Sequence, residues 1–302
     1  MNFIFKLIDK LYLKQWSIGV ANMSINEVIR NKKIDKEFKW IPINNNYQFF
    51  ADPFFFSYKG EYRILYEELD YKKQYGYICQ FTLNKKNEVI SKKVMLDTKS
   101  HLSYPFIFSE NNSIYVFPES GTGGKLSCFK YNEDSESFTF IKDILNLPLL
   151  DSTILKHDNK YWIFSTMKGD DSNKKLYIFF AESLYGPYKP HPQNPIKDNI
   201  NGSRPAGNFI KVDGSLYRPA QNSDKYYGSS ISINKVLILN ENEFIEENYM
   251  ALTPDKKSKF NFGIHTINYV EDLLVIDGLS RTFLPLIQLK TYINKKLRPK
   301  RD

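Results

Sequence analysis

Asp52, Tyr104, Asp151, Arg204 and His265 follow one another at intervals of about 50 residues, each at the head of a stretch of the same design. Asp52 stands in ADPF and Asp151 in LLDST, while a third carboxylate, Glu119, closes FPES one strand after Tyr104. Three carboxylates brought to one polar place can divide acid–base work. One is ionised as base or nucleophile, one orients it or stabilises an oxocarbenium-like centre, and one protonates a leaving group. A lone aspartate at a strand start is usually a turn or cap acid satisfied by backbone N–H groups. Two at the same register argue instead for a shared site. His265, at that register too, is either a satisfied histidine of an inner channel or a group that helps hold water or an ion.

Arginine usage sharpens the pattern. Only seven of the 42 basic residues are arginine, so lysine is the default cation of this chain. Two of the seven, Arg204 and Arg218, fall in the fourth stretch. A guanidinium is the choice where a planar fork must grip a carboxylate or phosphate, and either residue could equally be half of a structural ion pair. With Tyr104, His265 and Gln221, which closes LYRPAQ, they are the candidate substrate-binding residues.

These residues need elements to position them. Each stretch has a polar or proline-flanked entry, a short apolar strand, a tight turn and a second strand rich in Tyr, Val and Ile. Five such units of strands and turns predict an all-β fold, a five-bladed β-propeller occupying residues 1–302 as one domain. The strand heads would face one central funnel, with Pro53 holding Asp52 extended. The turn pairs Lys59-Gly60, Asn111-Asn112, Asp158-Asn159, Asp213-Gly214 and Glu271-Asp272 suit two-residue hairpins that need positive φ. The loop GPYKPHPQNP from Gly186 is too proline-dense for a central strand. Ser17–Val20 and Trp40–Pro42 read as short strands, the former able to close the last blade.

Composition narrows the class. Aromatic residues make up 16% of the chain, which suits cross-strand packing first and a sugar cleft second. The net charge of +8 is scattered rather than clustered in a motif, which argues against nucleic acid as a partner. Residues 1–16 read as an amphipathic helix, with Phe3, Ile4, Leu7, Ile8 and Leu11 on one side. Its charges exclude a signal-peptide core or a membrane span. Residues 290–302 form a basic tail. Helix and tail together suit either packing and fraying or peripheral contact with an anionic membrane surface. Cys79 and Cys128 occupy similar places in neighbouring repeats and are expected to be free thiols, consistent with a cytoplasmic chain. No zinc-type spacing exists, and neither a metal nor a cofactor is expected.

The arrangement resembles the five-bladed propellers of the arabinanase and xylosidase type, family 43 of the glycoside hydrolases. That resemblance implies a general base at Asp52, a tuning aspartate at Asp151 and an axial histidine at His265. The general acid implied for blade four has no match, because that blade opens with Arg204. The strings FADPF, YPFIF with FPES, HDNKYWIFST, SRPAGN with LYRPAQ, and GIHTIN with VIDG are together similar to the amino-terminal propeller family named after plant glucosamine inositolphosphorylceramide transferase. Three functions stay open. The first is a glycosyltransferase of surface glycan or glycolipid synthesis, using a nucleotide- or lipid-linked sugar, with Asp52 as base and Arg204 on the donor phosphate. The second is a furanosidase-like glycosidase with Glu119 as acid. The third is a non-catalytic glycan-binding propeller.

Overall fold

Hairpins dominate this chain because its turns accept backbone that most residues avoid. Lys59-Gly60, Asn111-Asn112, Asp158-Asn159 and Asp213-Gly214 all have positive φ at both positions, as does Glu271 in the fifth turn. Such turns match the twist of the strands they join. A computed structural model describes residues 11–120 and 123–286. Five antiparallel sheets follow, and the inner strands of neighbouring sheets touch. The fold is a five-bladed β-propeller.

Blade one comprises Gln48–Tyr58, Glu61–Asp70, Tyr75–Leu83 and Val89–Leu96, running outward in that order. Blade two comprises Ser103–Glu110, Ser113–Glu119, Leu126–Asn132 and Ser137–Leu145. Blade three starts with Leu149–His157, Lys160–Met167 and Lys175–Ala181, and Lys189–Pro190 and Lys197–Asp198 add short edges to its third strand. Thus the proline-dense loop contributes only an edge. Blade four has an interrupted inner strand, Asn201–Pro205 and Ile210–Val212, followed by Ser215–Asn222, Ser230–Leu239 and Phe244–Leu252. Blade five is a composite. Its inner strands Ile267–Val270 and Leu273–Phe283 are completed by Tyr12–Asn22 and Lys39–Trp40.

That closing strand corrects the expected amino-terminal helix. Residues 1–10 lie outside the described residues, but from Tyr12 the chain is extended, pairing residue for residue with Leu273–Phe283. Eleven paired residues and the burial of Trp16, Ile18 and Val20 outweigh the helical periodicity of the preceding segment. A helix does form at Ile25–Asn31, capped by Ser24, between the two segments read as short strands. Its Ile25, Val28 and Ile29 fill the seam between blades four and five. The basic tail at 290–302 also lies outside the described residues. Cys79 and Cys128 are buried free thiols on the third strands of blades one and two.

Gly207 marks a close approach between blades four and five. Its φ is +127°, and a Cβ there would meet the Ile267 carbonyl oxygen at 2.0 Å. Backbone strain and overpacking each cost about 1–3 kcal/mol. Gly207→Ala is therefore expected to lower unfolding stability by roughly 3 kcal/mol or more, measured as a fall in urea midpoint at unchanged slope. An effect below about 1 kcal/mol would mean that the seam can relax.

Candidate functional site

The inner strands of blades one to three each break register once, between Ala51 and Phe54, Ser103 and Phe106, and Leu150 and Thr153. At each break the head residue adopts left-handed backbone: Asp52 at φ 52°, Tyr104 at 41° and Asp151 at 50°. Asp52 is therefore not held extended by Pro53; the bulge overrides that preference. Side chains with a Cβ pay roughly 1–2 kcal/mol for this conformation, so it persists only where the surroundings hold it. Here a neighbouring acid accepts the N–H that the bulge frees. Asp277 Oδ2 accepts from Asp52 N at 3.1 Å, Asp52 Oδ2 from Tyr104 N at 3.1 Å, and Glu119 Oε2 from Asp151 N at 3.0 Å.

Two groups of side chains result. At the seam of blades five and one, His265 lies between two carboxylates, with Nδ1 2.6 Å from Asp277 Oδ2 and Nε2 3.4 Å from Asp52 Oδ1. Thr266 Oγ1 donates to Asp52 Oδ1, and Trp16 stacks on the imidazole at 4.0 Å between centroids. At the seam of blades three and four, Arg204 donates through Nε to Asp151 Oδ2 at 2.5 Å. Its Nη2 reaches Asp151 Oδ1 at 3.2 Å and Glu119 Oε2 at 3.4 Å. Gln221 Nε2 adds a bond to Asp151 Oδ2 at 2.6 Å. Tyr104 ties the groups together, since its hydroxyl meets Thr153 Oγ1 at 2.8 Å and accepts from Gly207 N across the funnel at 2.7 Å. Tyr227 bridges them at the mouth, edge-on to His265 and beneath the Arg204 guanidinium.

Seven of the eight candidate residues thus converge, and Arg218 does not. It is fully buried behind the inner strand, bidentate to Glu246 and bonded to the carbonyls of Gly202 and Ser203, so it is a structural cation of blade four. The guanidinium of Arg204, with its side chain 12% exposed, is committed to protein carboxylates rather than open to the funnel. Asp277, Glu67, Trp16, Thr266 and Tyr227 were missed. Glu67, Glu119, Gln221 and Asp277 all lie on second strands, level with the head of the inner strand beside them. The repeat register that singled out the inner strands would have found them too.

Five buried acids face two cations, and the imbalance sets their protonation. Burial, followed by the charge of Asp151, raises Glu119 well above the carboxylate range. Burial and the surrounding acids do the same to Glu67, whose Oε1 has no hydrogen-bond partner and lies 3.7 Å from His101 Nε2. Asp52 rises to about 6, pushed up by burial and held back by His265. Asp151 is buried as deeply, but Arg204 keeps it below its ordinary value. Carboxyls pushed apart in this way can act as acid and base at one pH. Asp52, His265 and Asp277 bring donor atoms within 4.8 Å of one another, the spacing of a cation site. Both imidazole nitrogens already face carboxylates, however, so an ion there would have to displace the imidazole proton.

Comparison with known proteins bears on both fold and site. The family described as "Glucosamine inositolphosphorylceramide transferase 1, N-terminal" matches residues 39–269. Glucosamine inositolphosphorylceramide transferase 1 of Arabidopsis thaliana is 34% identical over 199 residues, 61% of this chain and 26% of that protein. The protein of the same name from Oryza sativa subsp. japonica is 34% identical over 158 residues, 51% of this chain and 21% of that one. The chain thus spans about a quarter of the length of these curated relatives. Among solved structures, a family 117 glycoside hydrolase from Zobellia galactanivorans superposes with a TM-score of 0.57 at 11% identity, covering 96% of this chain and 99% of its own. An exo-β-1,3-galactanase from Phanerochaete chrysosporium gives 0.51 at 13% identity, covering 66% and 51%. At such identities the likeness is one of fold.

The charge on His265 should be visible in stability. Burial opposes it, but Asp277 and Asp52 outweigh that penalty and raise the imidazole to about 9. A pKa raised above the unfolded value gives stabilisation that is complete below about pH 6.5 and lost as pH rises through about 9. The loss should be on the order of 3 kcal/mol. Denaturant midpoints are expected to fall between pH 6.5 and 9 and to flatten in His265→Gln. An imidazole found by NMR to titrate below pH 7 would contradict the paired geometry.

Proposed function

The chain belongs to the family described as "Glucosamine inositolphosphorylceramide transferase 1, N-terminal", and from that premise we propose that its funnel makes or breaks a glycosidic bond. Asp52 is the base that activates a hydroxyl or water, and Glu119 is the acid that assists departure of the sugar oxygen. Arg204 holds Asp151 ionised and orients Glu119, while Tyr227 and His101, at the exposed edge, meet the sugar. The observation that carries this reading is the division of buried carboxyls into a raised Glu119, an Asp52 near neutrality and an Arg204-paired Asp151. Such a set supplies proton donor and acceptor together.

Its closed ion pairs favour acid–base sugar chemistry over a donor phosphate gripped by Arg204, since that grip would require Asp151 and Glu119 to release their partner. A second reading, transfer from a nucleotide- or lipid-linked sugar to an acceptor hydroxyl, is favoured by the transferase name of the plant relatives. In both, Asp52 has the same task. A glycan-binding propeller without turnover is the remaining reading.

Aryl glycosides, furanosides included, and nucleotide sugars should be offered to the purified chain, with thermal shift as the binding readout. Turnover is expected to rise with pH through about 6 as Asp52 ionises, and to decline again as Glu119 loses its proton. Asp52→Asn and Glu119→Gln should each cut it on the order of 10²–10⁴-fold with binding retained. A nucleotide-sugar shift without aryl glycoside hydrolysis would select transfer. Oligosaccharide binding with no turnover of any donor would remove the catalytic reading.

A further inference from the structure

One rim of the propeller combines exposed apolar side chains with basic ones, and both flanks of the described chain leave from it. Tyr12 and Phe283 are paired at the end of the blade-five ladder, and their rings meet edge to face at 5.3 Å. Arg281 lies over Tyr12 at 4.0 Å and over Phe262 at 5.2 Å, with Lys14 above the same Phe262 ring at 5.7 Å. Tyr226 stacks on Phe262, and its neighbour Tyr227 turns into the funnel against His265. The ridge is thus continuous from the candidate site to Leu11, which is bonded to Leu284. Phe283 is 55% exposed and Leu286 is 78% exposed, the latter the most exposed large apolar residue among the described residues.

The adjoining sequence has the same character. Residues 1–10 contain Phe3, Ile4, Phe5, Leu7 and Ile8 with Lys6, Lys10 and Asp9. Residues 287–302 contain Ile287, Leu289, Ile293 and Leu297, and set Lys290, Lys295, Lys296, Arg298, Lys300 and Arg301 against Asp302. Six of the eight net positive charges of the chain therefore belong to these two flanks. Basic residues beside apolar and aromatic ones match a lipid surface, where the rings sit at headgroup depth and the cations meet anionic phosphates. Outward apolar residues elsewhere, such as Ile90, Phe140 and Leu237, stand on third or fourth strands of other blades, not at the ladder end where the described chain begins and ends.

We propose that this rim is a docking surface for anionic membrane, bringing the mouth of the funnel to the lipid headgroups. It goes beyond the glycosidic chemistry proposed above and stands without it, because its readout is binding. Flotation of the full chain with vesicles of phosphatidylcholine containing 30% phosphatidylserine should recover it with the lipid. Pure phosphatidylcholine vesicles, or about 0.5 M salt with anionic ones, should not. The double change Phe283→Asp, Leu286→Asp should reduce partitioning at least tenfold while circular dichroism and melting stay unchanged. Lys295→Glu with Lys296→Glu should do the same. Absence of flotation on anionic vesicles, or flotation indifferent to both pairs of changes, would overturn the proposal. So would a concentration-dependent dimer abolished by the Phe283 and Leu286 changes, which would assign the rim to a second copy.

Discussion

A buried N–H group freed from its ladder must find another acceptor, and in this propeller the acceptor comes from the next blade. The inner strands of blades one to three each release one N–H at a left-handed residue, and an acid across the seam takes it. Asp277 closes the seam from five to one, Asp52 that from one to two, and Glu119 that from two to three. At the seam from three to four the donors are side chains instead of a backbone N–H, and Asp151 receives Arg204 and Gln221. Backbone bonds from Ile264 to Gly228 and from Ile267 to Ala206 complete the circle. Leaving any such group unpaired would cost about 1–3 kcal/mol. The acids are therefore structural before they are chemical.

That double duty explains the electrostatics. Closing the ring with carboxylates concentrates negative charge in a dry interior, where burial disfavours ionisation. Two cations, Arg204 and His265, relieve part of it, and they lie at opposite ends of the cluster. Asp151, bidentate to Arg204, is held below its ordinary value, while burial and neighbouring acids raise Glu119, Glu67 and Asp52. A gradation of acidity thus follows from where the seams put their cations. Exchanging Arg204 for an acid would remove the counter-ion of Asp151 and redistribute protons over the cluster.

Blade five links this interior to the surface. Its third strand, Tyr12–Asn22, comes from the start of the described chain, places Trp16 on His265 and sets Tyr12 beside Phe283 at the rim. The helix Ile25–Asn31 then anchors the strand by packing into the adjoining seam.

The repeat, its hairpin turns, the inner-strand heads and the free cysteines were all legible in the residues. Each depends on neighbours a few positions apart: positive φ at Asn111-Asn112, alternation along a strand, one polar head per period. What Arg204 and Arg218 would hold could not be read in the same way. Both are arginines of the fourth repeat, yet one lies in the funnel and the other behind the strand, because Glu246 and the Gly202 carbonyl lie on that side. The strand at Tyr12–Lys14 was hidden for a similar reason, since helical spacing is local and its partner lies some 270 residues away. Likewise, local sequence marked Asp52 as a strand head, but only the closed ring supplied Asp277 to accept its N–H in left-handed backbone, the burial that raises its pKa and the His265 charge that holds it back. Short-range geometry was written in the sequence. The pairing of charges waited for the fifth blade to meet the first, because electrostatic partners are chosen by distance in space.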